Sequence, residues 1–528
     1  MKSKVVDIRK YFEIPNLGLE SYFARVRSGQ SEEYRSTFYK GKPIERVLKD
    51  WNKRLGTIKS KWPSLYSFEK DLAKKVGPMS IMQPLDKRMD DIDHYYSLSV
   101  AKGKPLSSKA VQLCLREWAR VSSSSVRLLS QRETVDNMKL STNSGAPYFT
   151  KRRFVVDETL PVYCEVRGNQ VVVTQRNKEW QSCAILGWRG QEGGPRPEDV
   201  KQRVVWMFPL GVNVCELQAY IPLINAFQFY NLVPAWNGND YVDAEITKLF
   251  DTKGQEQLII CTDFSKFDQH FNQHLQDAAK QLIAGLLPDT IDSIRWLSEV
   301  FPIKYKIPLM YDYGKIVEGD HGMGSGSGGT NFDETLAHRC LQYDAAIRAG
   351  EQLNVHSMCL GDDGIVSWPG ITVDEVVKSY TSHGLDMNLS KQYASAEDCV
   401  YLRRWHHRDY RVNGICVGVY STMRALGHLL EQERYYQEWG PKDVALRQLS
   451  IIENVKYHPL REEFAKFCMR GDKYRLGLDI PGFLTNIQSE AERAIDLHTD
   501  FMGYTQSLGD GMSNINDWWI VKYLKSQR

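Results

Sequence analysis

A chain of 528 residues exceeds what one ordinary hydrophobic core supports, so it reads as a large enzyme built from lobes, or as about three to four subdomains. With 42% hydrophobic and 25% charged residues the composition is that of a soluble globular protein, and no apolar run approaches the ~18 residues that a membrane span needs. The net charge of +3 excludes a global electrostatic field, so a nucleic-acid partner has to be held by local basic clusters.

The N-terminal MKSKVVDIRKYFEIPN breaks its short apolar patches with charges and lacks the apolar core of a signal peptide, which points to an intracellular or particle-internal protein. Helical spacing follows at KAVQLCLREWARV, Lys109 to Val121. SGAP, Ser144 to Pro147, is turn-rich, and VDETLPVYCEVRGNQVVVTQRN alternates apolar residues around Gly168 as a hairpin does. RGQEGGPRPEDVKQR, Arg189 to Arg203, reads as the clearest long loop. Basic runs stand at Lys151 to Arg153, Lys201 to Arg203 and Arg403 to Arg408; each is equally a solvated face. Ten cysteines without a CxxC pair fit reduced, packed thiols and argue against a structural zinc site.

From about Gln257 the pattern becomes strand then helix. QLIICTDF ends a buried strand at Asp263, and Phe271, Leu275, Ala278, Leu282 and Leu286 recur at helical spacing. GDHGMGSGSGGT leads into a second helix carrying Leu336, Cys340 and Leu341. HSMCLGDDGIVSW, His356 to Trp368, reads as a hairpin, and TVDEVVKSYTSHG as a helix closed by Gly384. After about Tyr420 the chain looks mainly helical, with WWIVKYL, Trp518 to Leu524, open to a place in the last lobe's core or near a site. Strand, helix, helix, hairpin, helix makes an α+β layer with helices on one side of an antiparallel sheet.

An acid ending a strand of Leu, Ile, Ile and Cys needs a partner or a metal if it is buried, which singles out Asp263. Together with Asp362 and Asp363 on a neighbouring turn, it offers the carboxylates that two-metal phosphoryl transfer requires, with two divalent ions held ~3.5–4 Å apart. Asp268 stands where a side chain caps the next helix. SGSGGT, Ser325 to Thr330, opens a helix whose backbone N–H groups can approach a phosphate or sugar, but it lacks the GK[ST] ending of an ATPase loop.

The order of these segments resembles the viral RNA-dependent RNA polymerases. DFSKFD is similar to their motif A, SGSGGT to motif B and LGDDG to motif C. TNSGAP is similar to motif G, VKQRVVW to motif F, SHGLDMNLSKQ to motif D and VYLRRW to motif E. The wording DFSKFDQHFN with GMGSGSGGTNFDET looks closest to picobirnavirus polymerases, with partitivirus polymerases next.

The resemblance implies a closed right hand: N-terminal region and fingers over 1–250, a palm over 251–420 with a fingers insertion at about 270–318, and a thumb with C-terminal segment over 421–528. It implies Asp263 and Asp362 as ligands of two Mg²⁺ or Mn²⁺ ions, with Asp363 a secondary ligand or positioning group. Lys201 and Arg203 would hold the triphosphate and Lys391 would protonate pyrophosphate. Asp268, Ser325 and Thr330 would read the ribose. The usual Asn four places after Thr330 is Glu334 here, so either Asn331 completes that contact or Glu334 faces Asp268 with a shared proton.

Thr142, Gly145 and Pro147 would meet template RNA, and Arg403 and Arg404 the nascent strand. The implied partners are RNA template and product, nucleoside triphosphates and a capsid protein, with no membrane and a monomeric enzyme. It would copy and transcribe double-stranded RNA in the virion interior, and act in host cytoplasm during replication. The rivals are a reverse transcriptase, a metal-dependent nuclease or nucleotidyl cyclase, and a non-catalytic RNA-binding particle protein. Leu360 and Gly361 before the aspartate pair, and Asp268 where a reverse transcriptase has a bulky gate, disfavour the first.

Overall fold

Ile259–Thr262 lies inside a four-stranded antiparallel sheet in the order Met358–Leu360, Asp363–Val366, Ile259–Thr262, Tyr393–Ser395. Ile259 and Ile260 are fully buried, which explains why this strand reads as a continuous apolar run and not as an alternation. The helices Gln273–Leu286 and Thr330–Arg348 pack together and share one hydrophobic cluster with the sheet through Leu275, Leu282, Leu336 and Cys340. The computed structural model describes the chain apart from residues 1, 101, 124–125, 436, 498–511, 513 and 528.

A five-stranded sheet runs Lys2–Val5, Lys315–Glu318, Leu309–Asp312, Ala184–Gln191, Lys201–Met207. The segment after the Asp268 helix therefore returns to pair with far upstream chain, parallel in the one contact between Ala184–Gln191 and Leu309–Asp312. The stretch expected as a long loop is shorter. Arg189 pairs with Arg203 and Gln191 with Lys201, so both ends are strand and only residues 192–200 connect them. The hairpin around Gly168 is present as Val162–Arg167 and Gln170–Gln175, and a third strand, Lys178–Ser182, extends it.

A second cluster gathers Leu426, Leu430, Leu446, Leu449 and Phe464 with Ile520, Val521 and Leu524, so WWIVKYL lies in the core of the last lobe. Val47, Trp51, Leu55 and Leu65 from the N-terminal helices Ile44–Leu55 and Pro63–Ala73 join the same cluster. Buried Glu69 fixes this junction by accepting from the backbone N–H groups of Thr422 and Met423 at 2.8 and 3.1 Å, at the N-terminus of the helix Thr422–Leu430. The first residues thus bridge both ends of the molecule, since Lys2–Val5 belongs to the five-stranded sheet. All ten cysteines are free and buried. Among the described residues no helix is long and apolar enough to cross a membrane.

Candidate active site

The last registered pair between Asp363–Val366 and Ile259–Thr262 is Gly364 with Thr262, so the next residues outward on the two strands are Asp363 and Asp263. Gly361, at φ +57, makes the turn that presents Asp362 beside them. The helix Thr330–Arg348 grips this turn from behind. Gly361 N–H donates to Thr335 Oγ1 at 2.9 Å, and His338 Nδ1 donates to the Gly361 carbonyl at 2.9 Å. Burial pushes His338 down to about 4, so its imidazole is neutral. Gln342 Nε2 donates to the carbonyls of Met358 and Ile365 across the hairpin. Thr335, His338 and Gln342 lie on one helix face, and polar residues at that spacing on a buried face are the sequence signal that could have found them.

Burial raises the carboxyl of Asp363 to about 7, reinforced by the charge of Asp362. One of its oxygens accepts from Leu402 N–H at 2.9 Å, so it is partly committed to the protein. Asp362 is solvent-accessible but sits among protein atoms in the cleft, and desolvation raises it against the opposing charge of Arg203. Asp263 is exposed, and its charge contributes to the rise at both neighbours. These are hard oxygen donors whose like charges oppose ionisation, which is the donor set that divalent Mg²⁺ or Mn²⁺ satisfies. Among the described residues no group of three His, Cys, Asp or Glu side chains is arranged to hold a metal ion, so the fit of the trio to a cation rests on its donor chemistry and register.

The carboxyls of Asp268 and Glu334 influence each other, and burial raises both above the ordinary carboxylate range. Glu334 is 5% exposed, and burial followed by the charge of Asp268 holds it well above the ordinary range. Asn331 is exposed and accepts from Trp236 Nε1 at 2.8 Å. Both candidates stay beside the carboxylate turn: Asn331 Nδ2 and Glu334 Oε2 each lie 3.5 Å from where a Cβ on Gly361 would stand.

The glycines of SGSGGT serve close approach. A Cβ on Gly326 would stand 1.6 Å from the Trp206 carbonyl oxygen, and one on Gly329 would stand 2.2 Å from the Tyr220 ring. Ser325 Oγ accepts from Trp206 N–H at 3.3 Å, and Thr330 Oγ1 donates to the loop carbonyls of Gly324 and Ser327. Beneath the loop, buried Glu216 accepts from Ser327 Oγ at 2.6 Å and Gly328 N–H at 2.9 Å. Asp333 accepts from Tyr220 and Tyr305 hydroxyls and pairs with fully buried Lys304 at 3.2 Å. Glu216, Lys304 and Asp333 carry no local motif, and sequence reasoning missed them.

Lys201 and Arg203 are exposed on one strand, and the charge of Arg203 reaches both Asp268 and Asp362. Lys391 is exposed at the end of a short turn whose next residue, Gln392, touches Asp263. Leu402 and Arg403, both at positive φ, form a two-residue hairpin turn that exposes Arg403 near the carboxylates.

Arg404 corrects the expectation for it. It is 4% exposed and paired with Asp243, so its guanidinium has no face left for RNA. Gly145 and Pro147 are buried, and a Cβ on Gly145 would stand 2.8 Å from the Phe208 carbonyl oxygen, so they shape the turn of a loop on which Thr142 is exposed; the turn reading and the template-entry reading remain compatible.

Residues 107–414 match the family model for viral RNA-dependent RNA polymerase. The chain is 58% identical over 529 aligned positions to a potential RNA-dependent RNA polymerase of human picobirnavirus (strain Human/Thailand/Hy005102/-), covering 98% of each. It superposes with a TM-score of 0.95 on a crystal structure of the RNA-dependent RNA polymerase of a human picobirnavirus, at 57% identity, over 99% of this chain and 100% of the other. An insertion loop deletion mutant of such a polymerase matches with a TM-score of 0.94 at 55% identity, over 99% of this chain and 100% of the other.

Proposed function

Because this chain belongs to the viral RNA-dependent RNA polymerases, in their picobirnavirus branch, and is an RNA-directed nucleotidyltransferase, we propose that it joins ribonucleotides on an RNA template by a two-metal mechanism. The single observation that carries this reading is the register that places Asp263 beside Asp363, with Asp362 on the adjoining turn. Asp263 and Asp362 would hold the two ions, Mg²⁺ or Mn²⁺, and Asp363, already accepting from Leu402, would add a ligand or position the turn. Such ions would activate the attacking 3′-hydroxyl and neutralise charge on the phosphates.

The chain's own residues supply the rest. Arg203, whose planar fork matches phosphate oxygens, and Lys201 beside it hold the triphosphate, where negative charge develops as the bond to pyrophosphate breaks. Asp268 accepts the ribose 2′-hydroxyl, and Glu334 carries the proton that lets two carboxyls share that corner. Ser325, Thr330 and Asn331 border the sugar from the loop and helix start. Lys391 delivers a proton to the departing pyrophosphate. Thr142 on the template side and Arg403 on the product side meet RNA backbone, independently of base sequence.

The likeness to picobirnavirus enzymes supports a wider reading. In it a monomeric polymerase replicates and transcribes double-stranded RNA segments next to a capsid protein, in the virion interior and in host cytoplasm during replication. The test is incorporation of labelled ribonucleotides on a defined single-stranded RNA template, with Mg²⁺, with Mn²⁺ and with a chelator, beside a deoxynucleotide control. Metal-dependent RNA complementary to the template is expected. RNA made equally well with the chelator would overturn the metal assignment, and product independent of the template would overturn the reaction.

A further inference from the structure

The rung that the sheet leaves unmade beside Asp263 is completed by a side chain. Tyr393–Ser395 pairs with Ile259–Thr262 only as far as Tyr393 opposite Cys261. Beyond it, Asp263 N–H donates to Gln392 Oε1 at 2.8 Å, and Gln392 Nε2 donates to the Asp263 carbonyl at 2.9 Å. The Gln392 amide thus stands where a peptide group of a continuing strand would bond, with both donor and acceptor matched. The same Nε2 donates to the Asn388 carbonyl at 3.0 Å, which closes the short turn Leu389–Lys391. Ser265 N–H donates to the Asp386 carbonyl at 2.9 Å and ties the other side of the loop to the chain just after Asp263.

We infer that Gln392 is a positioning residue that locks the main chain of Asp263 and the turn bearing Lys391 into one unit. The inference rests on reading Asp263 as a cation ligand and Lys391 as the proton donor. The physical reason is geometric. Asp263 follows the last paired residue of its strand, so its main chain is free to swing unless an outside group satisfies its N–H and carbonyl. A peptide group from the neighbouring strand would fix it, but the chain there has already turned away to carry Lys391. A primary amide is the side-chain group that both donates and accepts in this way. Glutamate can accept from Asp263 N–H but would set a carboxylate against its carbonyl, and alanine does neither.

Lys391 precedes Gln392, and the shared Nε2 joins its turn to Asp263. A displacement of the Asp263 main chain therefore carries the lysine with it. Loss of the amide should weaken cation binding and uncouple the lysine, without removing either reacting group.

The full chain with Gln392→Ala, Gln392→Glu, Lys391→Ala, Gln392→Ala/Lys391→Ala and Asp263→Asn is compared with the parent in two measurements. Mn²⁺ binding without nucleotide is read from the electron paramagnetic resonance signal of the free ion, and steady-state extension gives kcat and KM for the nucleotide. Gln392→Ala is expected to weaken Mn²⁺ about tenfold and to lower kcat with KM little changed, with Gln392→Glu intermediate in both. Lys391→Ala is expected to lower kcat and leave Mn²⁺ affinity at the parental value, and its effect is expected to shrink in the Gln392→Ala background.

Parental Mn²⁺ affinity and kcat in Gln392→Ala, or in Gln392→Glu should the alanine variant not fold, would overturn the inference provided Asp263→Asn has lost both. Additive effects of Gln392→Ala and Lys391→Ala would remove the coupling to the lysine. Undiminished Mn²⁺ binding in Asp263→Asn would instead overturn the underlying reading of Asp263.

Discussion

At Asp268 and Glu334 burial opposes ionisation of both carboxyls, reinforced by the charge of Asp362 at the first and of Asp268 at the second. Asp268→Ala removes a charged acceptor, and such a hydrogen bond contributes about 1.5–3 kcal/mol. The preference for ribonucleotides over deoxyribonucleotides should fall about 10- to 100-fold, read from the ratio of kcat/KM values. Glu334→Gln keeps a donor toward Asp268, so its preference should stay close to the parent's; a loss as large as that of Asp268→Ala would contradict the proton-sharing account. At this scale the sequence showed the acids themselves: DFSKFD and LGDDG carry Asp263, Asp268, Asp362 and Asp363, and the strand register sets Asp263 beside Asp363. The choice between Asn331 and Glu334 was not legible, because both lie at the start of one helix and both reach the Gly361 turn, with Asn331 Oδ1 also held by Trp236.

At the scale of elements, a loop and a hairpin carry the site. Gly326→Ala would push a methyl group against the main chain under the Gly-rich loop, a displacement at or above the upper end of the about 1–3 kcal/mol that overpacking costs. A lower Tm with loss of RNA synthesis is expected, and a parental Tm would contradict the close approach. The two arginines of the Leu402–Arg403 hairpin separate by the same logic. Arg403→Ala should leave Tm unchanged and flatten the salt dependence of RNA binding by about one phosphate contact, measured by titration across ionic strength. Arg404→Ala strands Asp243 in the interior and should cost about 3–5 kcal/mol in unfolding free energy. Sequence could not tell these neighbours apart, since alternate residues at a hairpin end face opposite sides and the register was unknown. The same limit applied to Arg189 to Arg203, where Gly and Pro in the connection masked strand at both ends.

At the scale of the whole molecule, the N-terminal chain ties the five-stranded sheet to the last lobe through Glu69 and through the pairing of Tyr34–Arg35 with Glu431–Gln432. Burial raises Glu431 from 4.5 to about 7, against the opposing charge of Arg35 at 3.7 Å. A carboxyl raised on folding binds its proton more tightly in the native state. Its stabilising effect is therefore complete below 4.5 and is lost as pH rises through about 7. Tm should fall across that window in the parent and fall less in Glu431→Gln, measured by calorimetry; equal slopes would contradict the assignment. The α+β layer and its order of strand, helix and hairpin were legible from periodicity alone. The tie between Val47–Leu65 and the helix Thr422–Leu430 was not, because contacts hundreds of residues apart leave no local pattern.

The most direct test of the central claim is Asp362→Asn in the full chain. It exchanges one charged oxygen for an amide of the same shape on an accessible turn, so Tm and RNA binding should match the parent while template-dependent RNA synthesis falls by at least about 1,000-fold, on the order of 4 kcal/mol of transition-state stabilisation. Synthesis within a few fold of the parent would show that the carboxylate turn does not hold the reacting centre.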